Sequence, residues 1–421
     1  MSQKSQVVKM IHKPSMKKQT IPCPLIDAIS NNEIKKINLK KFGTYAAYDL
    51  ELVYRFLGLY DGNESTFINY RKEIERLLHW SWIIAKKSII KLRREDIEKF
   101  IKFCQKPLKS WIGTKIVPRF ITQNSVRLPN PEWRPFVVTI NKTEVRKGKK
   151  PHQDEYMLSQ KSVKAMFVIL GSFYTHLINE NVSDINPVLQ IRQKSKFIRK
   201  QQNSNKVPCL SETQWKCLIK TTQKMAENKP VRHQRTLFII SAMYLMYLRI
   251  SEVVGSSRWT PLMGNFYKDG NNNWWFITVG KGNKERNITV SDSMLDVLKQ
   301  WRKYLGLTLL PYPNDTHPLI PKSKGQGAVT SVRMIRQLIQ ECFDETTREL
   351  IKKDEKEEAS TMAEATVHWL RHTGISDDIN KRGRPIIHVR DDAGHASIAT
   401  TDKYNDSILR ERHSSGKNKK I

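Results

Sequence analysis

The 421-residue chain sets 73 Lys and Arg against 41 Asp and Glu, a net charge of +32. That excess calls for an anionic partner, nucleic acid first and an anionic membrane surface second. With 39 % apolar residues and ten Trp the chain is not disordered, and its length is a prior of about two to three domains. No apolar run is long enough to cross a bilayer, and the basic N-terminus lacks the apolar stretch of a secretory signal. Cys23, Cys104, Cys209, Cys217 and Cys342 are scattered and form no C-x-x-C pair. They argue against a disulfide scaffold or zinc ribbon and fit a reducing cytosol.

In chain order, residues 1–40 read as a flexible basic arm. Residues 41–190 read as a helical domain, with helices expected over 48–57, 67–85, 94–101 and 159–179. An insertion at 107–151 interrupts them; it holds several prolines, a strand at 136–140 and the basic run 146–150. Asn186-Pro187 ends the domain, since proline disfavours helix at the residue before it. Residues 191–207, charged and rich in Gln, Asn and Lys, read as a linker.

Residues 208–421 read as a second domain. The stretch 236–248 is apolar on nearly all sides and fits a buried central helix. Strands at 274–279 and 287–290 flank Gly280-Lys281-Gly282-Asn283-Lys284, a hairpin with Lys281 and Lys284 at its tip. Helices follow at 294–304 and 331–342, and 354–358 reads as solvated charged surface. The expected fold class is mainly α with a small β-sheet, the C-terminal domain being α+β.

Several residues carry chemistry. Arg249 is expected to close the buried helix, with Glu252 three residues on along the same face, as a structural pair or as an anion-facing arginine. Lys281 between two glycines reads as an ordinary charged turn or as a mobile cation. His368 and Arg371 are neighbours at i and i+3, and the planar arginine fork suits phosphate oxygens. A zinc pair of His368 with His372 competes, but Trp369 stands where H-E-x-x-H needs Glu. His395 follows Gly394 near an expected helix start, and Tyr404 comes nine positions later. In combination these side chains supply a metal-free phosphodiester cut. A tyrosine hydroxyl can attack phosphorus once activated, two arginines can clamp the non-bridging oxygens, and a lysine can protonate the leaving 5′-oxygen. No cofactor and no metal is required.

The motifs Leu248-Arg249-Ile250-Ser251-Glu252, Gly280-Lys281-Gly282-Asn283-Lys284-Glu285-Arg286, His368-x-x-Arg371-His372-Thr373, Gly394-His395 and Tyr404, in this order, resemble those of the tyrosine recombinases. This is the phage-integrase family, which includes the Xer-type resolvases. The resemblance covers residues 208–414, and 41–190 look like the family's helical core-binding domain. It implies a two-domain, C-shaped clamp on double-stranded DNA. It further implies that Arg249 and Arg371 bind the scissile phosphate, Lys281 is the general acid, His368 the base and His395 a hydrogen-bond donor. Tyr404 would form a 3′-phosphotyrosine, with Glu252 and Lys284 in support and Lys284 a rival for the acid role. A homo-tetramer would exchange strands of two DNA sites through a Holliday junction, as monomer or dimer off DNA, with or without accessory proteins. Such a protein is expected in the cytoplasm, on the nucleoid when DNA-bound, as the integrase or transposase of a mobile element.

The chain departs from the family pattern at Asp392-Ala393, where many members have two leucines before Gly-His. The interval 290–368 is long, the insertion at 107–151 has no counterpart, and the tail with Ile408 and Leu409 is short. Two rival readings are a type IB topoisomerase, which uses a similar residue set, and a DNA-binding accessory protein with a decayed site.

Overall fold

The computed structural model describes residues 21–27, 38–146, 148–192, 197, 207–280, 282–405, 414 and 416–417. They fall into two units, residues 1–202 and 203–421. Most of the expected arm, most of the linker, Lys281, Ile408 and Leu409 lie outside the described residues.

In the first unit, apolar residues recurring at three and four positions place Leu50, Val53 and Leu57 in the core from α1 (Ala46–Gly58). Helix α2 (Glu64–His79) continues into a π-helical turn, Trp80–Ala85, which stops at Lys86 in the left-handed region (φ 56°). Buried Asp49 of α1 fixes that end by accepting from Trp82 Nε1 at 2.8 Å, Ser88 Oγ at 2.6 Å and the Ile89 amide at 3.0 Å. Helix α3 (Arg94–Gln105) follows.

The insertion is structured. Strand β1 (Ile112–Gly113) pairs in parallel with β4 (Phe136–Val137), and β2 (Phe120–Gln123) with β3 (Val126–Pro129) forms an antiparallel hairpin. The strand expected over 136–140 therefore shrinks to two residues, beyond which the Val138 amide makes one more bond, to Gly113 O at 2.9 Å. The short α4 (Lys142–Arg146) comes next. Arg76 of α2 anchors the insertion, donating to Pro135 O at 2.9 and 2.8 Å. Glu75 of α2 accepts from the Leu25 amide at 2.6 Å and pairs with Arg119. Leu25 and Ile26 are buried, so this stretch of the expected arm packs on the core, while Ile21 stays exposed. Helix α5 (Gln160–Asn179), capped by Ser159, adds Phe173, Tyr174 and Leu177 to the core, and α6 (Leu189–Arg192) ends the unit.

The second unit starts with α7 (Glu212–Asn228), whose Ser211–Gln214 capping box satisfies its first amides. Pro230 opens α8 (Pro230–Leu245), which is buried continuously from Phe238 to Tyr244. A three-stranded antiparallel sheet runs β5 (Phe266–Lys268), β6 (Trp274–Val279), β7 (Glu285–Thr289), with Phe276 opposite Phe266 and Ile288. Then come α9 (Asp292–Tyr304), α10 (Val332–Lys352), α11 (Lys356–Glu364), α12 (Val367–Asn380), α13 (Ile386–Ala393) and α14 (Ile398–Asp402). Helix α12 meets the end of α8 at Gly374, where a Cβ would lie 2.0 Å from the Tyr244 carbonyl oxygen. Only glycine permits that approach.

Among the described residues, no helix is long and apolar enough to cross a membrane.

Candidate active site

Arg249 does not close the buried helix. Helix α8 stops at Leu245, Tyr247 takes φ 52°, and Arg249 is extended (φ −78°, ψ 148°) at the head of a 3-10 turn, Ile250–Glu252. The expected pairing with Glu252 is present but arises from this capping turn, not from an α-helical face. The Arg249 amide donates to Glu252 Oε2 at 2.8 Å and its Nη1 to Oε1 at 2.9 Å. Arg286 of β7 closes on the same carboxylate, Nη1 to Oε1 and Nη2 to Oε2, both at 2.8 Å. Glu252 thus lies buried between two guanidinium groups. Burial alone would raise its carboxyl, but the Arg286 bonds and charge, with Arg249, hold it below the ordinary value.

Arg371 projects from α12 and is 1 % exposed. Its Nη1 donates to the Tyr247 carbonyl, and its Nη2 reaches Ala393 O at 2.5 Å and His395 Nε2 at 3.1 Å. Arg249 Nη2 approaches Ala393 O and Gly394 O at 3.4 and 3.3 Å, so the turn after α13 binds both arginines. Burial, and then the Arg249 charge, bring the Arg371 guanidinium down to about 9, still charged at neutral pH.

Gly394 caps α13 in the left-handed region (φ 62°), and a Cβ there would lie 2.8 Å from Arg286 Cδ. His395 therefore follows the end of α13 and stands three residues before α14 starts at Ile398, near a helix start as expected. Its Nδ1 lies 2.8 Å from Thr401 Oγ1, and its ring stacks 6.2 Å from that of Tyr404. The Tyr404 ring is also 5.5 Å from that of His372, which in turn is 4.4 Å from His368. Burial pushes the Tyr404 phenol up to about 12, with Arg371 and Arg249 opposing. Burial first, then Arg371 and Arg249, drop His395 to about 4, and burial with His368 takes His372 to about 4. Both rings are neutral at pH 7. The place holds cations on one side and a buried phenol on the other, a setting in which an anionic oxygen on phosphorus would be stabilised.

The phage integrase family model matches residues 208–410. This part of the chain is a domain of the tyrosine recombinase family. Members of this family are enzymes that cleave and rejoin DNA through a tyrosine nucleophile. The tyrosine recombinase XerD of Rickettsia prowazekii is 27 % identical over 258 residues, 59 % of this chain and 74 % of that one. The tyrosine recombinase XerC of Actinobacillus pleuropneumoniae is 23 % identical over 247 residues, 59 % of this chain and 68 % of that one. The XerH site-specific recombinase bound to palindromic difH substrate, in a post-cleavage complex, shares the fold. Its TM-score is 0.50 at 16 % identity, covering 83 % of this chain and 79 % of that one.

Other parts of this cluster escape the sequence. Arg286 lies within the quoted hairpin motif, yet its pairing with Glu252 depends on β7 crossing behind the turn. Tyr247, which supplies a carbonyl to Arg371, looks like one more apolar residue of the buried run. His372, read as a rival zinc ligand and as a motif member with no role of its own, lies beside Tyr404, and its Nδ1 is 3.2 Å from Pro208 O. Among the described residues no group of three or more His, Cys, Asp and Glu is placed to hold a metal ion. Of the two hairpin lysines, Lys281 is outside the described residues. Lys284 is exposed, and its carbonyl accepts from the Gly280 amide at 2.8 Å.

The Asp392 departure has a structural account. Asp392 is 5 % exposed. Its Oδ1 accepts from the Thr289 amide at 3.2 Å and its Oδ2 from Arg384 Nη2 at 2.7 Å. Arg384 Nη1 also reaches Asp378 Oδ2 at 2.9 Å and Tyr247 Oη at 3.0 Å. A polar network thus occupies the place where two leucines would pack, and it joins α12, α13, β7 and the Tyr247 segment.

Proposed function

We propose that this chain is the integrase or transposase of a mobile element, a site-specific recombinase that works through a 3′-phosphotyrosine on Tyr404. The observation that carries the reading is the convergence of Arg371, His395 and Tyr404, with His395 Nε2 3.1 Å from Arg371 and its ring 6.2 Å from the phenol. In this mechanism Arg249 and Arg371 bind the non-bridging oxygens of the scissile phosphate. The Tyr404 oxygen attacks phosphorus and its proton passes to His368. The bond from phosphorus to the 5′-oxygen breaks, and Lys281, or Lys284 in its place, protonates the leaving oxygen. Rejoining runs the same steps in reverse with another strand's 5′-hydroxyl, so the phosphotyrosine conserves the bond energy. Glu252 holds Arg249 and Arg286 in place, and His395 contributes a hydrogen bond.

The partner is double-stranded DNA, bound by the helical first unit and the catalytic second unit. A tetramer on two sites exchanges strands through a Holliday junction, on the nucleoid in the cytoplasm. The net charge of +32 supports a strongly salt-dependent grip.

A duplex nicked near its cleavage site tests the reading, because loss of the short fragment traps the covalent adduct. Wild type should accumulate adduct and Tyr404→Phe none. An adduct on the Phe variant would remove Tyr404 from the role. Relaxation of a supercoiled plasmid without a specific site would instead favour a topoisomerase.

A further inference from the structure

Arg235 lies on the second turn of α8, separated by about 15 Å of helix from its far end and from Arg249 beyond it. It is 8 % exposed, and among the described residues no hydrogen bond or ion pair reaches its guanidinium. Burying an arginine without a partner is costly, and burial holds this one below its ordinary pKa, with only the Tyr304 phenol opposing.

The side chain lines a cavity of about 230 Å³ together with Val231, Arg232, Ser323, Met334, Gln337 and Leu338. The polar lining is two guanidinium groups, a hydroxyl and an amide, with no carboxylate. The nearby Glu341 is already engaged by Arg232, at 2.8 and 2.5 Å, and by the Gln337 side chain, so Arg235 and Ser323 are the lining groups it does not hold. Ser323 is flanked in sequence by the exposed Lys322 and Lys324.

We infer that the Arg235 cavity is a second phosphate-binding site, remote from the cutting site, that takes a DNA backbone phosphate or a free phosphate group. A planar guanidinium with a hydroxyl and an amide beside it matches the several acceptor oxygens of that group. The DNA source rests on the proposed function; the phosphate chemistry does not.

The test uses the full chain and Arg235→Met, which keeps the stem and removes the charge. Inorganic pyrophosphate is titrated calorimetrically, and duplex affinity is followed over a salt series. Loss of pyrophosphate binding on the variant with unchanged DNA affinity assigns the site to a free phosphate. A loss of DNA affinity of about tenfold to a hundredfold, with the salt slope reduced by about one, assigns it to the DNA backbone. The variant should melt no lower than wild type without ligand, because the unpaired charge is gone. Equal binding of pyrophosphate and DNA by both proteins overturns the inference, whether or not the variant melts lower. Failure of the proposed function shows separately, as absence of covalent adduct with wild type.

Discussion

Arg384 donates to Asp392 at 2.7 Å from one nitrogen and to Asp378 at 2.9 Å from the other. The two carboxylates sit on different helices, so this arginine locks α13 against α12. Ala393, next to Asp392, offers the carbonyl that Arg371 uses at 2.5 Å. Asp392→Leu restores the residue type many family members have, yet leaves Arg384 half-satisfied here. Breaking a fully buried pair costs about 3–5 kcal/mol. The Arg384 side chain is 27 % exposed, so solvent screening brings the expected loss to about 2 kcal/mol. Thermal melting should show it, and the double variant Asp392→Leu with Arg384→Met should recover most of it. Equal melting temperatures for wild type and Asp392→Leu would show that the network contributes nothing.

Glu252 balances two guanidinium groups from a position 1 % exposed. Glu252→Gln removes the charge and turns an amide donor toward one arginine. Arg249 should swing away from its site, and single-turnover cleavage should fall by about tenfold to a hundredfold, by analogy with loss of one transition-state donor. The salt slope of DNA binding should not move, since both cations remain. A variant that cleaves at the wild-type rate would show that Arg249 does not need this carboxylate.

How much of this was legible in the sequence differs by element. Helices α1 and α5, with regular stripes, can be read to within two residues at each end, whereas α3 runs four residues past its expected end. Helix α8 cannot, because the run from Thr236 to Leu248 stays buried after the helix stops at Leu245. The break is a backbone event at Tyr247, and hydrophobicity carries no signal for it. Helix α10 runs on to Lys352, ten residues past the expected end, because the extension is mostly polar and is held by packing on α7 and α11. Strand β5 has three residues, too few for a periodicity. In the site, the order of Arg249, His368, Arg371, His395 and Tyr404 can be read, since each motif is local. The Arg286–Glu252 and Arg384–Asp392 pairs join residues 34 and 8 positions apart through tertiary packing, so no local pattern announces them.

The depressed histidines give a pH signature of stability. His395 and His372 each titrate near about 4 in the folded chain, against about 6.5 when unfolded. Between those values the unfolded chain binds more protons, so stability is full above about pH 6.5 and falls as pH drops toward 4. Below about 4 this contribution levels off, and further loss belongs to carboxylates such as Glu252, whose folded value is also lowered. His395→Gln keeps a hydrogen-bonding group without the titration. Its melting temperature should fall less steeply than wild type from pH 6.5 to 4.5. Parallel slopes for the two proteins would contradict a buried neutral His395.

The two hairpin lysines can be separated by the leaving group. In the proposed mechanism one lysine protonates the departing 5′-oxygen, a contribution of about 10²–10⁴-fold. Replacing that bridging oxygen by sulfur makes a leaving thiolate that needs no proton, because thiols are far more acidic than alcohols. Lys281→Ala should cleave an ordinary duplex slowly and the sulfur-bridged duplex at close to the wild-type rate. Lys284→Ala, at an exposed position whose carbonyl accepts from the Gly280 amide, should show a small loss on both substrates and no rescue. The reverse pattern transfers the acid role to Lys284. A Lys281→Ala defect that persists with sulfur in the bridge would make that lysine a phosphate-binding group, because binding is needed whatever the leaving atom.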